Sequence, residues 1–436
     1  MKISLKTPIA IVGLGLSGES ARSFLLSLGY PQKDIITFDE KSAQAQASDP
    51  NELFRLYQPQ TLVISPGVPL TKDWIVAAAA RGVEITSEIN LACSILESEI
   101  LIGVTGSVGK STTVSLIGAV LTALDKNTFV GGNLGTAFCD YAREVSTGKR
   151  QRAKWVVLEL SSYQLENCKN LTLSGAAITS LTPNHLERYS SLEAYYESKM
   201  KILTLCKGPV VLNQESTDLF SRKNALEKIA DKNCPLFWTT PKNNSLENLN
   251  LSSARLVGKH NLQNLAVAAK LLLELGIPSD QMKALIEFPG LAHRMEFFGT
   301  WNEINFINDS KATSIESVLM AVDSCLPNVT GTQKIHLLLG GRDKNLPWHE
   351  LSRLAGNPNI LFYFFGESKD LIPKCSGLLG STFTNLDGCF SAVMEKAQKK
   401  DWVLFSPGGT SLDHFKNFEV RGDFFKNLVQ KHYSVR

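Results

Sequence analysis

The sequence predicts an α/β protein of three domains built on parallel sheets. Three observations carry that reading. Short apolar runs rich in β-branched residues alternate with amphipathic helical stretches. Two glycine-rich loops each fall between such a run and a helix. The 436 residues exceed what one hydrophobic core organises.

The first strands are read at Ile9–Val12, Ile35–Phe38 and Leu62–Ile64, ending where Pro66-Gly67 breaks the chain. A second group comprises Ile100–Val104, Trp155–Leu160, Ala176–Thr179 and Pro209–Leu212. A third follows the turn Phe288-Pro289-Gly290 and comprises Ile335–Leu339, Ile360–Phe365 and Trp402–Phe405. Domains are accordingly expected over residues 1–94, 95–289 and 290–436.

Composition narrows the function. With 43% hydrophobic and 20% charged residues the chain is an ordinary globular protein. Its 45 basic against 42 acidic residues leave a net charge of +3, which gives no footprint for nucleic acid or a membrane surface. Small-molecule partners are expected. The eight cysteines are scattered without a C-x-x-C pair, as suits reduced thiols in a cytoplasm. Lys2 and Lys6 precede an apolar run, Ile9 to Leu16, but Gly13, Gly15 and Gly18 interrupt it and no A-x-A cleavage site follows. The longest apolar stretch elsewhere, Val114 to Leu124, falls short of the roughly 20 residues that cross a bilayer, so membrane insertion is not expected.

The first glycine-rich loop, Gly13-Leu-Gly15-Leu-Ser17-Gly18, follows a strand and opens a helix, with Asp39 ending the next strand. That is a dinucleotide-type, Rossmann-like fingerprint: glycines admit a pyrophosphate to the backbone, the helix N-terminus supplies N–H groups, and the acid bonds a ribose or base. Alone it suggests NAD, or merely a tight strand-to-helix turn. The second loop, Gly106-Ser107-Val108-Gly109-Lys110-Ser111-Thr112, has the character of a phosphate loop, although Val104 stands where the usual G-x-x-x-x-G-K-[ST] spacing puts its first glycine. Its amides would cradle ATP phosphates, Lys110 would neutralise them, and Ser111 or Thr112 would meet Mg²⁺. With ATP there, the first cradle is expected to hold a nucleotide-linked substrate instead of a redox cofactor. Glu159 and His185 fall at carboxyl ends of strands, where α/β active sites form; otherwise they are an N-cap carboxylate and a core histidine.

Ordered strings across nearly the whole chain resemble the Mur ligases of bacterial cell-wall synthesis. They are Gly106 to Thr112, Gly131-Gly-Asn133-Leu-Gly135, Glu159-Leu-Ser161-Ser162-Tyr-Gln-Leu165, Asn184-His185-Leu-Glu-Arg-Tyr189, Lys199, His260-Asn261-x-x-Asn264, His293-Arg294, Asn308-Asp309-Ser-Lys311-Ala-Thr313 and Gly340-Gly-Arg-Asp-Lys344. Within the family, Gly13 to Gly18 together with Ser406-Pro-Gly-Gly-Thr-Ser411-Leu-Asp-His-Phe-Lys-Asn-Phe418-Glu-x-Arg-Gly is most similar to the members that add D-glutamate to UDP-N-acetylmuramoyl-L-alanine. Two departures are Val108, where the family often has a polar residue, and the variable turn Gly408-Gly409-Thr410.

The resemblance implies a Rossmann-like first domain for the UDP substrate, a central P-loop ATPase-type domain, and a Rossmann-like third domain for the amino acid. It also implies an acyl-phosphate intermediate, a cytoplasmic monomer, and no protein nucleophile. For ATP it points to Gly106, Ser107, Gly109, Lys110, Ser111, Thr112, Asn261, Asn264, Arg294 and Asp309. Two magnesium ions would be held by Ser111 and Glu159, and by His185 with Lys199 as a carbamate, because a bare ammonium would repel a cation. Lys311 and Thr313 would lie near the transferring phosphate; Asn133 and Ser161 near substrate; Gly15, Ser17, Asp39, Ser65 and Gly67 along the UDP part; and Lys344, Ser411 and Phe418 around D-glutamate. Rival readings are ligation of another amino acid or of glutamate to folate, a nicotinamide oxidoreductase, and a regulatory P-loop ATPase. The oxidoreductase would leave Lys110, Glu159, His185 and Asp309 without a task.

Overall fold

The computed structural model describes residues 4–434 apart from 184–187, 231–233, 244, 245, 247 and 257. The chain divides into two compact units, Met1–Ser252 with Gln263–Ile286, and Ser253–Leu262 with Glu287–Arg436. The first carries two sheets and the second one.

The first sheet holds β1 (Ile9–Val12), β2 (Ile35–Phe38), β3 (Thr61–Ile64) and β4 (Glu84–Thr86) in the order β2-β1-β3-β4, all parallel. Its three longer strands are buried throughout, as unbroken apolar runs covered on both faces must be. Alternation along β1 sends Ile9 and Ile11 toward Ala21, Phe24 and Leu25 of the helix Leu16–Ser27, and Ala10 and Val12 toward Leu53 and Ile75 on the other face.

The second sheet holds β5 (Ile100–Thr105), β6 (Phe129–Gly132), β7 (Trp155–Glu159), β8 (Gly175–Ile178), β9 (Val210–Asn213) and β10 (Leu236–Thr239), again all parallel, in the order β10-β9-β8-β5-β7-β6. In both sheets a strand that ends in a glycine-rich loop sits between neighbours reached in opposite directions: β1 between β2 and β3, and β5 between β7 and β8. Such switch points open a crevice at the carboxyl ends, where ligands bind.

The second unit's sheet runs β11-β12-β16-β13-β14-β15, with β11 (Glu296–Trp301), β12 (Ile304–Asn308), β13 (Ile335–Gly340), β14 (Ile360–Phe365), β15 (Gly380–Phe383) and β16 (Trp402–Gly408). Only β11 is antiparallel, joined to β12 through Asn302 and Glu303 at φ +49° and +63°, the left-handed pair of a two-residue hairpin. All eight cysteines are free. Among the described residues no helix is long and apolar enough to cross a membrane.

Candidate active site

At the end of β1 the chain turns through Gly13 into the helix Leu16–Ser27. A Cβ on Gly18 would stand 1.9 Å from the Gly13 carbonyl oxygen, so turn and helix touch backbone to backbone and only glycine fits. Ser65 Oγ donates to that same carbonyl at 2.7 Å. Asp39 closes the turn from the other side, accepting from the N–H of Leu14 and of Lys41, each at 2.9 Å. These bonds, Leu14's first, hold its carboxyl below the usual range. A cleft of about 530 Å³ runs from Asp39 and Glu40 past Gly15, Ser17 and Ser65 to Gly67, and on to Asn133 and Gln164 of the second sheet's loops. Lys72 pairs with Glu40 at 2.5 Å on its rim. Ser161 caps the helix Ser162–Glu166, its hydroxyl accepting from Gln164 N–H at 3.2 Å while Gln164 Oε1 accepts from Ser161 N–H at 2.9 Å, a reciprocal capping box.

The phosphate loop leaves β5 and enters the helix Lys110–Leu124. Gly109 has φ +87°, and a Cβ there would meet Asn264 Oδ1 at 2.3 Å, so the asparagine lies directly against the loop. Lys110 Nζ donates to the carbonyls of Gly106 and Ser107 at 2.9 and 3.0 Å. The Ser107 and Val108 N–H groups are committed to Ser180, to its carbonyl at 2.8 Å and its hydroxyl at 3.1 Å. A phosphate at this loop would therefore meet the first turn of the helix, whose leading N–H groups precede any intrahelical acceptor and whose dipole no acidic residue offsets. Ser111, in that turn, is buried and Thr112 half-buried.

Glu159 ends β7 at 3% exposure. Its Oε1 accepts from Asn133 Nδ2 at 2.7 Å, and its Oε2 has no hydrogen-bond partner among the described residues. A buried carboxylate oxygen in that condition is costly unless a cation meets it. With the Ser111 hydroxyl in the first turn of the helix Lys110–Leu124, this oxygen-donor set suits a hard divalent ion. His185 lies outside the described residues.

Lys199 sits near the end of the helix Leu192–Met200 at 2% exposure, and Nζ donates to the Gly106 carbonyl at 2.8 Å. A solvated lysine, the reading its spacing beside Lys201 favours, is thereby excluded. Burial first, and then the neighbouring Lys110, push its pKa down to about 6 against the pull of Glu159. At neutral pH this is an uncharged amine with a free electron pair.

In the second unit the expected residues gather at the ends of β12, β13 and β16. Lys311 Nζ stands 3.8 Å from the Phe418 ring centroid, a cation–π contact. Asp309 accepts from Met295 N–H at 3.0 Å and from the Ser406 hydroxyl at 2.8 Å, while burial raises its pKa to about 7. His293 and Met295, at φ +63° and +43°, flank Arg294 in left-handed backbone. Asp309 and the Lys311 N–H, bonded to His293 O at 2.9 Å, hold that strained turn. Asn261 is buried and Thr313 half-buried. Backbone bonds of 2.8 and 2.9 Å between Arg342 and Thr410 join the turn bearing the exposed Lys344 to the turn bearing the buried Ser411.

One residue went unrecognised as a working part. Arg421 is fully buried and donates to Ser310 O at 2.8 Å, Ser310 Oγ at 3.1 Å and Gly409 O at 3.1 Å, tying the Asp309–Lys311 turn to the turn before Ser411. Its signal was the arginine in the Phe418-Glu-x-Arg-Gly string.

These parts define a phosphate-loop α/β enzyme with a nucleotide-type cleft that reaches Asn133, the partner of Glu159. Residues 104–272 match the Mur ligase middle domain. The chain is 34% identical to the UDP-N-acetylmuramoylalanine–D-glutamate ligase of Myxococcus xanthus, over 97% of this chain and 98% of that protein. It is 31% identical to the ligase of that name from Pasteurella multocida, with the same coverage. Its fold is similar to the solved UDP-N-acetylmuramate-alanine ligase MurC of Thermotoga maritima, at TM-score 0.57 and 18% identity over 99% of this chain and 100% of that one. It is similar also to MurF of Thermotoga maritima, solved in complex with ADP, at TM-score 0.56 and 15% identity over 97% and 95%. The chain belongs to the Mur ligase family. It is an ATP-dependent ligase that forms an amide bond.

Proposed function

We propose that the chain joins D-glutamate to UDP-N-acetylmuramoyl-L-alanine, acting as a cytoplasmic monomer with domains over residues 1–94, 95–289 and 290–436. The observation that carries this reading is the continuity of the cleft. It begins at a pyrophosphate-type turn and ends at Asn133, whose amide bonds Glu159 beside the phosphate loop. A nucleotide-linked substrate lying along it would bring its far end, the carboxylate, toward the ATP phosphates. The identity of the amino acid rests on the named relatives and on the string from Ser406 to Phe418.

A carboxylate resists attack by an amine until its oxygen becomes a good leaving group. Transfer of the γ-phosphoryl group to it gives an acyl phosphate; the D-glutamate amine then adds to the carbonyl and phosphate departs. Such chemistry needs positioning and charge neutralisation more than a protein nucleophile. The first turn after Gly109 holds the phosphates, and Lys110 neutralises them. Asn261, Asn264, Arg294 and Asp309 would serve the nucleotide. Lys311 and Thr313 would face the transferring group, and Lys344, Ser411 and Phe418 the amino acid.

Magnesium bound by Ser111 and Glu159, and a second ion by His185 and a carbamylated Lys199, would neutralise charge as it moves between oxygens. The orphaned Glu159 oxygen suits the first ion. The burial of Lys199 against Gly106 suits the second, because a carbamate converts a buried amine into an oxygen ligand.

Phosphate release from ATP and Mg²⁺ is measured with UDP-N-acetylmuramoyl-L-alanine and D-glutamate, omitting each component in turn and exchanging D- for L-glutamate and other amino acids. Release that needs every component, with a product heavier by one glutamyl unit, is expected. Turnover with a different amino acid alone would overturn the substrate, and release without acceptor would overturn the ligation.

A further inference from the structure

The phosphate loop is fastened from behind by a residue with no counterpart among the expected site residues. Tyr195 lies on the helix Leu192–Met200, one turn before Lys199, and is 1% exposed. Its hydroxyl donates to Ser107 Oγ at 3.2 Å. Ser107 Oγ in turn donates to Thr182 O at 2.9 Å and accepts from Thr182 N–H at 3.0 Å. A serine hydroxyl has one proton and two lone pairs, so these three bonds use its full capacity. Ser107 was expected to serve ATP directly; its hydroxyl is instead a junction joining the loop, the segment after β8, and the helix.

The ring of Tyr195 has a second task. Lys199 Nζ stands 4.6 Å from its centroid while donating to Gly106 O. Residues four apart share one helix face, so a single side chain supports both the amine and the loop that the amine touches. The ring also packs against Tyr189, at 5.2 Å between centroids and tilted by 53°.

We propose that Tyr195 is a positioning residue for the ATP-dependent reaction. Its hydroxyl sets the phosphate loop through Ser107, and its ring seats Lys199. It touches neither substrate nor phosphate. The inference rests on the loop's reading as the ATP site, and binding of ADP tests the two separately.

Kd for ADP with Mg²⁺ is measured by calorimetry on the full chain, alongside the KM of each substrate. Failure of the unaltered protein to bind ADP would sink the loop's assignment, whatever Tyr195 does. Given binding, Tyr195→Phe keeps the ring and removes one hydrogen bond, so the Kd for ADP and the KM for ATP should rise about 5- to 10-fold with the other two KM values within about twofold. Ser107→Ala removes all three bonds of the junction and should give at least as large a rise, and the double variant should add little to Ser107→Ala alone, because the tyrosine hydroxyl acts through that serine. Tyr195→Leu should also lower kcat through Lys199. Unchanged ADP binding in Tyr195→Phe, full additivity with Ser107→Ala, or a uniform rise of all three KM values would each overturn the proposal.

Discussion

Lys199 Nζ donates a 2.8 Å hydrogen bond to the carbonyl of Gly106, the glycine that opens the phosphate loop. An amine 2% exposed at that spot is kept for what it does there, because as an ammonium it costs the fold.

Lys199→Met should therefore abolish ligation and, with CO₂ and bicarbonate removed so that the lysine of the unaltered protein is the free amine, raise the melting temperature. The folded pKa near 6 lies below the unfolded value of about 10.4, so between these limits the unfolded chain binds the extra proton and this group's penalty shrinks as pH rises. The gain in melting temperature over the unaltered protein should be largest near pH 6 and fade toward pH 10. Scans at pH 6, 8 and 10 check it, and a gain that grows with pH would contradict it.

Glu88 gives the opposite slope. It is 2% exposed at the start of the helix Glu88–Cys93, where burial raises its pKa to about 7 although the Cys139 N–H bonds it. Between the unfolded value of about 4.3 and 7 the folded chain binds the extra proton, so stability falls as pH rises through that window. Glu88→Gln should melt above the unaltered protein at pH 8 and level with it at pH 4.

Arg421 spreads its donors over a planar fork and reaches three acceptors at once, where lysine has one compact ammonium. Arg421→Lys should cost about 2 kcal/mol by stranding the Ser310 or Gly409 carbonyl, read as a lower urea midpoint.

Asp39→Asn can accept from Leu14 N–H or Lys41 N–H but presents an amide donor to the other. The acceptor KM should rise about tenfold while the ATP KM stays put. Equal rises in both would show that the turn does more than shape the cleft.

Lys344→Ala, on the exposed loop braced by Asp343 through Trp348 Nε1 at 2.8 Å, should raise the D-glutamate KM by about tenfold or more without moving the ATP KM.

The fold was legible where strands are buried on both faces. Every strand read from the sequence is present, with ends within one residue except Trp402–Phe405, which runs on to Gly408. The unread strands carry a weaker signature for physical reasons. Glu84–Thr86, Leu236–Thr239 and Gly380–Phe383 are half-exposed edges, Phe129–Gly132 ends in two glycines, Glu296–Trp301 pairs through a hairpin whose turn, Asn302-Glu303, lacks glycine, and Ile304–Asn308, though buried, has its apolar run broken by Asn305 and Asn308. At the site the glycine loops announced themselves, because close backbone approach restricts residue type. Lys199 did not: spacing cannot tell a solvated lysine from one buried by partners far along the chain. Nor could spacing reveal that Ser180 takes the Ser107 and Val108 amides, or that the Asp39 carboxylate faces its own loop.

The bond from Asn133 to Glu159 bears on inhibition. A compound filling the cleft as far as Asn133 and claiming its amide protons would compete with the acceptor and also strip Glu159 of its Asn133 donor at Oε1. Such a compound would appear competitive in one assay and mixed against ATP in another, while a shorter one stopping at Gly67 would affect the acceptor alone. Potency against the nucleotide thus becomes a gauge of how deep a molecule sits.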